Sequence, residues 1–121
     1  MSIATVSIPL ERLHSTAISG VEAGIGYWAK VLEYRWHDAT LEDGSTILCL
    51  DKLRVRDHLG VEPKHPTKAE YIIDDATLVR GLQILVDRYP RHAAAIFGRR
   101  EDAETGDVLI QCAVFGEIVY G

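Results

Sequence analysis

Positive charge is unevenly spread along this chain. Lys52, Arg54, Arg56, Lys64 and Lys68 crowd one stretch with His58 and His65, and Arg88, Arg91, Arg99 and Arg100 crowd another with His92; together they hold nine of the thirteen basic side chains. Guanidinium and ammonium groups gathered in this way can offer charge-assisted hydrogen bonds to phosphate. Tyr27, Trp28, Tyr34 and Trp36 add aromatic mass within ten residues, able either to stack on a base or to pack in a core. If the two stretches converge, the expected site takes a small anionic ligand of nucleotide type. Arg54, Arg56, Lys64, Arg99 or Arg100 would pair with phosphate, and Tyr27 or Trp28 would cover a base. The plainer alternative is a solvated surface whose cations balance acids elsewhere.

Other reactive groups are arranged less suggestively. Asp102, Glu104 and Asp107 fall within six residues, but acids at a helix start are explained by the positive end of the helix dipole, and a hard cation needs further oxygen ligands converging from elsewhere. His14, His37, His58, His65 and His92 are scattered without ligand spacing, so neither zinc nor another metal is expected, and no cofactor is implied. Cys49 and Cys112 lack a Cys-x-x-Cys spacing or a nucleophile signature and read as buried reduced thiols. Gly24-Ile25-Gly26 is too little for a phosphate loop. Gln111, a polar residue on an apolar stretch, is either a satisfied amide in a core or interface or a ligand contact.

Composition bounds the answer further. The 121 residues, 47% hydrophobic and 26% charged, suit one α+β domain spanning 1–121. A formal net charge of -5 argues against sequence-independent binding of duplex nucleic acid. No apolar run reaches the length of a bilayer span, and residues 1–10 lack the features of a signal peptide, so a cytoplasmic protein is expected.

The elements that must position these groups follow from periodicity and turn chemistry. A strand is expected over Ile3–Ile8, then a helix opened by Pro9, bearing Leu10, Leu13, Ala17 and Ile18 on one face and ended by Gly20. Ser19–Gly26 reads as a bend. Trp28–Trp36 alternates as a half-buried strand with Trp28, Lys30, Leu32, Tyr34 and Trp36 on one side, and Asp43-Gly44 turns it into a return strand over Thr46–Leu50. Leu53–Lys68, with Gly60, Pro63 and Pro66, reads as a long connection with a helical turn near Arg54–Leu59. Ala69–Ile73 is a third strand, followed by a helix capped by Asp74 or Asp75 and interrupted by Pro90, a short helix over His92–Phe97 closed by Gly98, and an exposed corner at Arg99-Arg100-Glu101. The last helix starts at the acidic cluster and carries Val108, Cys112, Phe115 and Val119 as one stripe, with a strand as the alternative for Val108–Phe115. Leu109, Ile110, Ala113, Val114 and Ile118 cover so much of its remaining circumference that a contact between copies, and hence a homodimer or higher oligomer, is expected.

Three blocks also carry a resemblance. Ala23-Gly24-Ile25-Gly26-Tyr27-Trp28-Ala29, the Leu82–Pro90 segment, and Asp102-Ala103-Glu104-Thr105-Gly106-Asp107 running through Gln111 to Phe115-Gly116-Glu117-Ile118-Val119-Tyr120-Gly121 resemble a family of small, mostly uncharacterised bacteriophage and prophage proteins. The resemblance implies a phage origin and a life in the cytoplasm of an infected bacterium, and it brings no catalytic motif. By category, such a protein would be an accessory factor countering host antiviral defence.

Together these readings give a non-enzymatic accessory protein that binds and sequesters a small anionic nucleotide-type signal. The alternative is a protein-binding inhibitor or adaptor that presses an acidic face, including Glu101, Asp102 and Glu104, against a basic host complex. A third reading is a small hydrolase of unrecognised type.

Overall fold

A computed structural model describes residues 8–59, 69–100 and 102–121. The elements are helix α1 (Leu10–Ala23), a single 3-10 turn at Ile25–Tyr27, strands β1 (Ala29–Thr40), β2 (Thr46–Asp57) and β3 (Glu70–Ile72), and helices α2 (Asp75–Arg88), α3 (Pro90–Phe97) and α4 (Ala103–Phe115). The three strands form one open antiparallel sheet in the order β1-β2-β3. With α1 and α2 both packed on α4 and α1 also on β2, this is the α+β architecture expected. Among the described residues, no helix is long and apolar enough to cross a membrane. The strand expected over Ile3–Ile8 lies, except for Ile8, outside the described residues.

Local chemistry sets the boundaries. Gly44 takes φ 87 at the hairpin tip, where Asp43 accepts from the Ser45 amide and hydroxyl. Asp74 caps α2 by accepting from the Thr77 backbone, and Asp102 caps α4 through Thr105 in the same way. Gly116, left-handed at φ 78, closes α4.

Three expected boundaries are corrected. Gly20 does not end α1, which runs three residues further to Ala23; it is a contact point, its backbone laid directly against Gly106 of α4. Residues 53–57 belong to no connection or helical turn, because β2 continues through Asp57 with Leu53, Val55 and Asp57 inward and Arg54 and Arg56 outward. Ile118 and Val119 are not on the last helix, which stops at Phe115 and leaves 117–121 as an ordered, non-helical tail.

Two irregularities set the faces of the sheet. Leu32 is an extra residue in β1 and Asp51 in β2. Leu32 shifts the expected alternation of β1, so Val31, Tyr34 and Trp36 lie opposite the inward Val55, Leu53 and Leu50, while Lys30, Glu33 and Arg35 lie opposite Arg56, Arg54 and Lys52 on the other face.

α4 is the centre of the molecule. Ten of its thirteen residues are buried, with Leu109, Ile110, Gln111, Cys112 and Ala113 at zero exposure. Its apolar excess, which the sequence assigns to a contact between copies, is covered within one chain by α1 and α2. The reason given for an oligomer interface on this helix therefore falls away.

Candidate functional site

The sequence blocks at either end of the chain meet at one carboxylate. Asp107 sits one turn inside α4, beyond the cap, and faces inward. Its Oδ1 accepts from Trp28 Nε1 at 2.7 Å and Gln111 Nε2 at 2.9 Å, and its Oδ2 accepts from the Tyr27 hydroxyl at 2.7 Å. Three donors on two oxygens make a buried carboxylate tolerable in an apolar interior. Gln111 is saturated as well: its Oε1 accepts from the Val119 and Tyr120 amides at 2.8 Å each, and its Nε2 also donates to the Tyr120 carbonyl at 3.1 Å. The amide is thus a clasp for the C-terminal tail. Tyr120 then stacks on Trp28 at 5.6 Å between ring centres and donates its hydroxyl to the buried Asp57 carboxylate.

Trp28, fully buried between Phe115 and Tyr120, is unavailable to a base, which corrects its expected stacking role. Its indole N–H needs a buried partner, and Asp107 supplies it. Tyr27 differs: it is half exposed, and its hydroxyl edge lines a cavity of about 330 Å³ with His92, Glu104, Asp107, Tyr120 and Gly121. Burial, and after it the hydrogen bond and charge of Asp107, hold the Tyr27 phenol well above its ordinary value of 10.0, so it remains a donor at neutral pH.

A second cleft of about 580 Å³ lies next to this cavity and shares His92 and Glu104 with it as lining residues, and the two together are termed the groove. Its walls bring together Arg88, Arg91, His92 and Arg100 with Tyr89, at the first turns of α3 and α4. Arg88 stacks on the Tyr89 ring at 5.4 Å and donates to the Gly116 carbonyl at 3.3 Å. Asp102 and Glu104 also line the cleft, though Asp102 is committed to the α4 cap. Three arginines and a histidine outnumber these two acids.

The other expected ligand residues separate. Arg54 and Arg56 stand on the outer face of the sheet, each within 3.2 Å of Glu70, with Arg54 also 3.8 Å from Glu33. Arg54 and Arg56 do not line the groove. Arg99 parts from Arg100 at a left-handed residue (φ 57) and is not among the groove residues. Lys64 and Glu101 lie outside the described residues. The sequence named Arg88, Arg91 and His92 as a cluster without placing them on a ligand; it read Asp107 only as helix-start charge. The signal for the latter was its spacing from Gln111, two polar residues four apart on an otherwise apolar helix.

A third cleft, of about 770 Å³, lies between α1, β2 and the start of α2 and contains Cys49, His14 and Asp75. It is not a poised nucleophile. His14 accepts from the Leu50 amide through Nδ1 and engages Asp75 through Nε2 at 2.7 Å, so both ring nitrogens are committed. Burial, with Glu11, Asp51 and Asp75, pushes the Cys49 thiol above its ordinary value, opposite to the activation a thiolate needs. Among the described residues no three His, Cys, Asp or Glu side chains are grouped to hold a metal ion. Compared with protein-family models, curated proteins and solved structures, the chain finds no match in any of the three.

Proposed function

We propose that this protein is a non-enzymatic binder of a small anionic ligand, and that the groove from Arg88, Arg91 and Arg100 to Tyr27 is its site. The observation that carries the reading is the adjacency of the two cavities, both lined by His92 and Glu104, which puts a guanidinium-lined end beside an end presenting a phenol and a carboxylate. Phosphate fits the first end, where forked donors and the positive ends of α3 and α4 favour an anion. The edge of a base fits the second, where the Tyr27 ring offers an apolar surface. A nucleotide carries both parts. In the phage setting that the sequence resemblance implies, holding such a molecule would withdraw a signal from host antiviral defence.

Calorimetric titration of cyclic and linear nucleotides tests this reading directly. Micromolar or tighter binding, lost in a folded Arg100→Glu or Arg91→Glu variant and kept in Arg54→Glu, is the expected result. Absence of heat from every nucleotide, with a host protein co-purifying instead, would transfer the assignment to the protein-binding alternative.

A further inference from the structure

We infer that a second copy of this chain pairs with the free edge of β1, antiparallel and about a two-fold axis at Tyr34. Among the described residues β1 is hydrogen-bonded to a strand on one side only, and it is twelve residues long without proline or glycine. An edge of that length is a template for another strand unless something covers it.

The backbone is oriented for such pairing. On β2, the Leu53 carbonyl accepts from Ile73 and the Leu50 amide donates to His14, so both residues turn their backbone groups away from β1. Their partners across the ladder, Tyr34 and Trp36, are therefore in non-hydrogen-bonded pairs with β2 and present their own N–H and C=O groups along the free edge. A two-fold axis through Tyr34 makes Tyr34 of each copy a hydrogen-bonded pair with Tyr34 of the other.

The side chains around that axis are self-complementary. Reversing Glu33-Tyr34-Arg35 against itself sets Glu33 opposite Arg35 twice. Glu33 and Arg35 share the outer face of the sheet, as their 3.0 Å contact within one chain shows. Lys52 and Arg54 steady Glu33 at 3.3 and 3.8 Å, while the Arg35 side chain is 65% exposed and free to exchange its own Glu33 for that of the other copy. The two Glu33–Arg35 pairs that this register creates favour a second copy as the occupant of the edge.

Sedimentation equilibrium of the full chain over the micromolar range tests the inference. The wild type should show a reversible monomer–dimer equilibrium. Arg35→Glu, which sets acid against acid at both positions, should weaken it roughly tenfold or more. The double exchange Glu33→Arg with Arg35→Glu restores opposite charges across the axis and should recover the dimer. Matching far-ultraviolet dichroism and melting temperatures establish that the variants fold. A wild type that stays monomeric at high micromolar concentration, or a dimer indifferent to Arg35→Glu, would overturn the inference.

Discussion

Gly20 of α1 and Gly106 of α4 touch backbone to backbone. A Cβ on Gly106 would lie 2.4 Å from the Gly20 nitrogen, and one on Gly20 would lie 2.5 Å from the Gly106 carbonyl carbon. Glycine to alanine inside a helix ordinarily gains about 1 kcal/mol from propensity. Here the obstacle is backbone that cannot rotate aside, and overpacking of this kind costs about 3 kcal/mol or more. Gly106→Ala should therefore lower the melting temperature by roughly 10 °C, whereas Gly26→Ala, where a Cβ would meet nothing within 4 Å, should be nearly silent. Equal effects at the two positions would refute the close crossing.

Asp107 separates loss of charge from loss of acceptors. In Asp107→Asn, the remaining oxygen still accepts from Trp28 and Gln111, and the Tyr27 hydroxyl can turn to accept from the new amide; the expected cost is about 1 kcal/mol. Asp107→Leu orphans the Trp28 indole in a buried site and takes one acceptor each from Tyr27 and Gln111, and it should cost about 3 kcal/mol or more. Urea denaturation ranks the two variants, and an asparagine as damaging as leucine would show that the charge itself is needed.

Adjacent arginines should behave oppositely. Arg100 lines the groove and Arg99 does not, so Arg100→Glu should reduce nucleotide affinity by about tenfold or more while Arg99→Glu leaves it within a factor of about two. Raising the salt concentration should weaken wild-type binding. Calorimetry reads both effects, and a salt-independent affinity would argue against phosphate at the arginine end.

Alkali should destabilise the fold earlier than acid chemistry alone suggests. Burial pushes the Cys112 thiol from its ordinary 9.0 up to about 12, and burial followed by the Glu22 carboxylate pushes the Tyr34 phenol from 10.0 up to about 12. Both groups are neutral when protonated, so their contribution is complete below the ordinary values. It is lost as pH rises between about 9 and 12, because the unfolded chain releases these protons first. Urea midpoints should fall steadily above pH 9, and less steeply in Cys112→Ala. A midpoint that holds level to pH 11 would contradict the burial of these groups.

Much of the fold was legible because local chemistry decided it. Asp43-Gly44 fixes a hairpin by conformation alone, and Asp74 and Asp102 announce helix starts by what their carboxylates accept. The misreadings arise where tertiary contacts override local rules. Gly20 looks like a helix stop until Gly106 is seen against it, and the Arg54–Asp57 end of β2 hides its alternation behind charges that serve the outer face. The tail beyond Gly116 shares the composition of α4, so no apolar pattern could separate them. Tyr27 and Arg100, named from residue type, do line clefts; Arg54 and Arg56 lie elsewhere, because adjacency to other cations in sequence says nothing about which face of a strand they occupy. Trp28 was misassigned because an aromatic cluster reads the same whether it stacks on a ligand or fills a core.

The Gln111 clasp bears on biosynthesis. The tail it holds contributes the ring that covers Trp28 and the hydroxyl that meets Asp57. A nascent chain halted at Gly116 thus has every described helix and strand encoded but an open core, with contacts between residues 28 and 120 still to be made. Such long-range closure is slow relative to local helix and hairpin formation. Residues 117–121 must therefore have been made before the indole that leads into β1 can be covered. A chain cut after Gly116 would present an uncovered indole to chaperones and proteases.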